Sequence, residues 1–195
     1  VMTDGYGSTA EATVTLKETN VNDAPTLDLN GVTSDIIFEG SYAGFNNAIG
    51  VYTLDENGNP TDPILISDGA HGETIGDKIA ELNIPADEIH FFIVANGNTQ
   101  LNGIDNDQLS FDNSGSYPKL IIENENGSTS QVTKPIYFDE PSLNQDGKDH
   151  FIEVQNEDGT STSIGIEDLY HLGDKDFQDV MLRVEERDAG IDYQT

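Results

Sequence analysis

From Leu27 onward the chain runs as short apolar stretches separated by Gly, Asn and Asp breaks. That rhythm predicts many short strands rather than helices. Strands are expected at Ala48–Leu54, Pro63–Ile66, Ile89–Ala95, Gln108–Phe111, Lys119–Glu123, Gln131–Phe138, His150–Val154, Ser161–Ile166 and Phe177–Glu185. The densest run, Ile89-His90-Phe91-Phe92-Ile93-Val94, needs a core to receive it. Asn124-Glu125-Asn126-Gly127 and Asn156-Glu157-Asp158-Gly159 end in residues that tolerate positive φ, and both predict hairpin turns. One stretch reads as helix: Thr74 offers an N-cap hydroxyl with Asp77 three residues on. Ile75, Ile79 and Leu82 then follow at helical spacing, and Pro85 lies beyond the end. The expected class is all-β with one or two short helices, a two-sheet β-sandwich. A parallel α/β sheet would need helices between its strands, and the chain lacks them.

Charge changes this picture most. Eight Lys+Arg against 37 Asp+Glu give a net charge of −29, which penalises compaction unless cations offset it. Such a charge can signal disorder, but the clustered apolar runs argue for a folded domain. Nucleic acid and anionic membrane are excluded as direct partners, because there is no basic patch to meet them. No apolar run is long enough to cross a bilayer, so direct membrane insertion is not expected. There is no cysteine, so the usual staple of small secreted domains is missing and bound divalent cations are the natural substitute.

The chemistry concentrates in Ile166-Glu167-Asp168-Leu169-Tyr170-His171-Leu172-Gly173-Asp174-Lys175-Asp176-Phe177-Gln178-Asp179-Val180. Glu167, Asp168, Asp174, Asp176 and Asp179 would repel one another without a cation. Calcium takes six to eight oxygen ligands, and a glycine-containing loop can fold carboxylates around it. Asp105 and Asp107, two residues apart in an expected loop, form a second candidate site. Asp55-Glu56-Asn57-Gly58-Asn59 resembles half an EF-hand loop but lacks the closing Glu, and a hairpin turn is the better reading. The four histidines show no metal-binding spacing, with His90 and His150 read as structural, and no nucleophile motif is present. Enzyme activity is therefore not expected, and a glycosidase-type carboxylate pair stays open only because acids lie throughout the chain.

The stretch Ile166–Val180, with Ile166–Leu169 and Gly173–Val180 as its two parts, closely resembles a signature of the calcium-dependent peptide-binding domain of bacterial RTX adhesins. Gly44–Tyr52 with Asp55–Gly58, Phe91–Gly97 and Asp149-His150-Phe151 resemble further parts of that domain in the same order, although Ala48 stands where many members carry an acid. The resemblance implies a β-sandwich holding several Ca2+ ions. One ion would help to bind the free C-terminal carboxylate of a short peptide from a surface protein on a host or microbial cell. Carried over by position, Glu167, Asp168, Asp174, Asp176 and Asp179 would ligate metal. Asn46 and Asn47 in the hairpin motif, and Gln178 in the signature, would meet the ligand. A local cation would also explain how so acidic a surface attracts an anion.

Residues 1–26 resemble the end of a cadherin-like or bacterial immunoglobulin-like extender repeat. Thr3–Ser8 would form its turn, Ala12–Lys17 its last strand and Asn20–Pro25 the linker, with Asn22 and Asp23 as linker calcium ligands. Val1 opens within that motif, so the chain reads as an excised piece. The expected organisation is 1–26, extender end, and 27–195, ligand-binding domain. Together these resemblances imply a secreted, monomeric domain of a long adhesin tethered to the bacterial outer membrane, serving cell adhesion and biofilm formation. A calcium-dependent carbohydrate-binding (lectin) domain is the alternative from another class.

Overall fold

The computed structural model describes residues 2–3, 9–10, 32–157 and 159–188. Among these residues fourteen strands run as β1 (Met2–Thr3), β2 (Thr9–Ala10), β3 (Val32–Gly40), β4 (Ala48–Leu54), β5 (Pro60–Ser67), β6 (Lys78–Leu82) and β7 (His90–Val94). They continue as β8 (Leu109–Asp112), β9 (Lys119–Glu123), β10 (Thr129–Gln131), β11 (Ile136–Phe138), β12 (Phe151–Gln155), β13 (Ser161–Ile166) and β14 (Val180–Asp188). The expected extender strand Ala12–Lys17 and the linker residues Asn22 and Asp23 lie outside the described residues.

The fold is all-β. Apart from the short β1–β2 pair, three antiparallel sheets are formed, with strand orders β12-β13-β14-β3-β6, β11-β7-β4-β5 and β10-β9-β8. Two apolar clusters flank the four-stranded sheet. Ile49, Val51, Phe91 and Ile93 on one face pack with Ile36, Phe38, Ile164, Ile166, Val180 and Leu182 of the five-stranded sheet. Ala48, Phe92, Val94 and Phe138 on the other face pack with Leu109, Leu120 and Ile122 of the three-stranded sheet. The run at β7 is unbroken because both faces of that strand are buried: alternate residues feed different cores. A third layer is thus added to the expected sandwich.

Close approach governs β4. A Cβ on Gly50 would lie 2.2 Å from the Phe92 ring and 2.8 Å from the carbonyl oxygen of Ile64. Around that point Tyr52, Phe92, Phe111 and Phe138 form an edge-and-tilt aromatic cluster, with ring centroids 5.3 to 6.5 Å apart. Such pairs add about 0.5–1.5 kcal/mol each beyond area burial.

The expected helix over Thr74–Leu82 is corrected. Gly76 turns at φ +88, and Lys78–Leu82 forms edge strand β6 against β3, with Ser34 opposite Leu82 and Ile36 opposite Ala80. Its spacing fits a helix, but the pairing with β3 buries Leu82 and leaves Ile75 exposed. The one α-helix among the described residues is Asn98–Leu101. β3 itself has no counterpart among the expected strands. Its polar start hides it: Ser34 and Asp35 are buried, and Asp35 is paired with Lys78 at 3.4 Å and Arg187 at 2.6 Å. The expected strand Gln131–Phe138 is two strands in different sheets. The chain crosses at Pro135, which lacks the N–H a continuous ladder would need. Hairpin turns form where expected, with Gly127 at φ +75 and Gly159 at φ +71. At Asp55–Asn59 the Asp55 carboxylate accepts from the backbone N–H of Asn57 (2.8 Å) and Asn59 (2.9 Å), as a turn rather than an ion loop requires.

Candidate metal centre

Strand β13 ends at Ile166 and β14 begins at Val180, and both residues are fully buried. The loop between them is therefore anchored to the core at each end. Residues 171–177 hold an unusual backbone. His171, Leu172, Lys175 and Phe177 have positive φ (61, 64, 62 and 53), as does Gly173 at 34. A side chain on Gly173 would come 2.7 Å from Glu167 Oε1, so glycine keeps the space beside that carboxylate clear.

Within this loop two groups of carboxylates converge. In Glu167, Asp168 and Asp179, and again in Glu167, Asp174 and Asp176, one oxygen from each residue lies within 4.8 Å of the others. Three oxygens at that spacing can share an ion at calcium's bond length of roughly 2.3–2.6 Å. Both groups are all-oxygen sets, which suit a hard cation rather than zinc or copper. Glu167 is fully buried, and neither carboxylate oxygen has a hydrogen-bond partner among the described residues. A buried carboxylate without donors is costly unless a positive charge meets it. Burial pushes the Glu167 carboxyl up to about 7, with the charges of Asp179 and Asp174 adding to the effect. Burial likewise raises Asp168 to about 6; the Asn47 amide opposes this, and Asp179 and Asp174 reinforce it.

The surroundings hold these groups in place. The Asn47 side-chain amide donates to Asp168 Oδ2 at 2.6 Å, and the Asn47 carbonyl oxygen Oδ1 accepts from the Asn96 N–H at 2.9 Å. Backbone N–H of Asp168 donates to Asp179 Oδ2 at 2.8 Å, and that of Gln178 to Asp176 Oδ1 at 3.0 Å. The 41–47 segment closes over the loop, with Ser41 Oγ donating to the Asp179 carbonyl at 2.7 Å and the Tyr42 N–H to that of Gln178 at 3.0 Å. Asn46 accepts from the His71 N–H at 3.0 Å. Seven of the ten expected site residues are therefore brought into one region, and Asn46 adjoins them through Asn47. Asp105 and Asp107 are not part of it. They lie exposed in a turn, Asp105 donates its N–H to Gln108 Oε1 at 3.1 Å, and neither belongs to a convergent acidic group among the described residues.

Sequence reasoning missed the support beneath Glu167. His150, read only as structural, is buried with Nδ1 2.8 Å from the Glu167 carbonyl oxygen and Nε2 3.1 Å from Asp146 Oδ2, and its ring stacks on Tyr137 at 3.8 Å. Asp146 also accepts from the His171 N–H at 2.7 Å. Burial raises the Asp146 carboxyl, but the N–H groups of His171 and Lys148, together with His150, outweigh that and hold it below its ordinary value. The pair Asp146 and His150, four residues apart, was the available signal.

A separate cavity of about 610 Å³ is lined by residues of β7, β12, β13 and β14. Ile89, Phe91, Ile164 and Val184 line it together with Asp139, Glu140, Glu153 and His90. Asp139 accepts from Tyr52 at 2.6 Å and from the Phe91 N–H at 2.8 Å. Burial raises both Asp139 and Glu153, the latter aided by the charges of Asp139 and Asp149.

Fold and site define an antiparallel β-sandwich domain with an acidic centre able to hold metal between two core strands. The chain belongs to the family described as "Domain of unknown function (DUF4114)", which matches residues 84–187, just over half its length. That span contains every carboxylate of both convergent groups and excludes Asn46 and Asn47. No curated protein and no solved structure matches the chain. No helix among the described residues is long and apolar enough to cross a membrane.

Proposed function

We propose that this domain is a calcium-dependent binding module, not an enzyme, that captures a short peptide by its free C-terminal carboxylate. The observation that carries the reading is Glu167, a fully buried carboxylate with two unpartnered oxygens at the meeting point of four aspartates. A calcium ion there would supply the missing partner and give an otherwise repulsive surface one spot attractive to an anion. Tyr42, Phe45, Leu169 and Tyr170 are exposed large apolar side chains on the two segments that frame the centre. They offer a peptide apolar contact beside the ion, while Asn46 and Gln178 offer hydrogen bonds. The wider setting, a monomeric domain of a secreted adhesin on the outer membrane that mediates adhesion and biofilm formation, rests on the sequence resemblance to RTX adhesins.

The test is a titration of short peptides in calcium and in chelator. Free-acid peptides should bind only in calcium, and their C-terminally amidated forms should not bind. Equal affinity for the two forms would remove the carboxylate mechanism. A lectin reading is favoured by one observation, the cavity beside Asp139, Glu140 and Glu153, whose carboxylates could hold sugar hydroxyls. Glycan-array binding lost on Glu153→Gln would move the function there.

A further inference from the structure

The two convergent groups share one residue and no other: Glu167 joins Asp168 and Asp179 in the first, and Asp174 and Asp176 in the second. Their settings differ. Asp168 is buried and Asp179 half-buried, whereas Asp174 and Asp176 are exposed. Three of the aspartates are fixed through one oxygen each: Asp168 by Asn47, Asp179 by the Asp168 N–H and Asp176 by the Gln178 N–H. Each is thus oriented with its second oxygen left over. Glu167 differs, because both of its oxygens are buried and neither has a hydrogen-bond partner among the described residues. One partner per oxygen calls for a positive charge on each side of the carboxylate. Charge balance agrees: five carboxylates around one divalent ion leave a local charge of −3, whereas two ions leave −1.

We infer that the centre holds two hard divalent cations bridged by Glu167, an inner ion with Asp168 and Asp179 and an outer ion with Asp174 and Asp176. The inner ion is held by two buried groups and one half-buried group, ties the end of β13 to the start of β14 and, through Asn47, to the entry of β4. The outer ion sits among exposed ligands and keeps coordination positions open to water or an incoming anion. This assignment rests on the calcium-binding reading and deepens it: the outer ion meets the ligand, and the inner ion holds the loop in shape.

The test counts ions on the full 195-residue chain, stripped with chelator, reloaded with calcium and weighed by native mass spectrometry. Differences between variants are read, so ions bound elsewhere cancel. Asp174→Asn with Asp176→Asn should lose one ion, Asp179→Asn should lose one, and the three together should lose two. Glu167→Gln should lose two. If the inner and outer variants each lose one ion and the combination still loses only one, a single ion chelated by both Glu167 oxygens occupies the centre and the bridge is overturned. The comparison of aspartate variants stands even if Glu167→Gln folds poorly. Peptide binding is not used in the count. Two ions with no peptide capture would sink the proposed function alone, and one ion with calcium-dependent capture would sink only the bridge.

Discussion

Replacing Glu167 with Gln should change stability in opposite directions with and without calcium. Gln keeps the volume and removes the charge. In chelator the wild-type carboxylate is buried, with neither oxygen in hydrogen-bond geometry to a donor among the described residues, and it faces Asp179 and Asp174. A carboxyl pushed from 4.5 up to about 7 in the folded state carries a penalty of about 3 kcal/mol once the pH exceeds both values. The neutral amide escapes that penalty and can donate to the neighbouring aspartates. For a chain of this length, about 3 kcal/mol corresponds to roughly 6–12 °C in melting temperature. In chelator at pH 8, Glu167→Gln should therefore melt above wild type.

In calcium the order should reverse. Ions that bind only the folded state stabilise it in proportion to the logarithm of concentration over Kd, and the variant has lost the ligand common to both groups. The assay is thermal unfolding of both proteins in excess chelator and in millimolar calcium. A variant less stable than wild type by the same amount in both conditions would refute the reasoning. It would mean that Glu167 is an ordinary buried acid and that no ion meets it.

Acidity supplies a second prediction. Since the folded values of Glu167 and Asp168 are raised to about 7 and about 6, the folded state takes up protons before the unfolded chain does. The chelated protein should gain stability as pH falls from 8 to about 5, and the advantage of Glu167→Gln should shrink over the same window; a flat chemical-denaturation midpoint would count against it. Asp176→Ala should weaken calcium-dependent peptide binding at least tenfold, while Asp107→Ala, in the exposed turn, should leave it within twofold by calorimetry. Gly50→Ala should cost about 1–3 kcal/mol by denaturant unfolding, because the new methyl meets the buried Phe92 ring and the Ile64 carbonyl; a cost below 0.5 kcal/mol would mean that the Phe92 ring and the neighbouring strand β5 can yield there.

How much of this was legible in the sequence depended on whether neighbours in space were also neighbours along the chain. Glu167, Asp168, Asp174, Asp176 and Asp179 lie within one loop, so their convergence could be expected from thirteen residues. β4, β9 and β13 matched their expected bounds because their apolar runs are bounded by turn residues. β3 and β6 were not legible. Asp35 is buried only because Lys78 and Arg187 reach it from 43 and 152 positions away, and a strand opening Val32-Thr33-Ser34-Asp35 reads as a loop until those partners are known. The helical spacing of Ile75, Ile79 and Leu82 was genuine, but β3 supplied an edge to pair with. Asn47 lies 121 residues from Asp168, which it holds, and only the resemblance linked the two.

The loop at 171–177 shows most directly what bound ions would have to do. Positive φ at non-glycine residues costs on the order of 1–2 kcal/mol each. His171, Leu172, Lys175 and Phe177 all carry it, and their sum is comparable with the whole stability of an ordinary domain. The protein's own anchors sit at the loop's ends, where the His171 and Leu172 N–H groups bond to Asp146 and Leu169 and that of Gln178 to Asp176. Between them, none of the N–H groups of residues 173–177 donates a hydrogen bond within the described protein. A strained segment with no ladder of its own persists only if something else fixes it, and carboxylates drawn onto cations at its centre would do so. Amide hydrogen exchange should therefore fall at least tenfold across 169–179 when calcium is added to the stripped protein, with little change in β4 or β7. Equal exchange in calcium and chelator would mean that the loop holds its shape unaided, and the case for ions as its organising element would fail at its physical root.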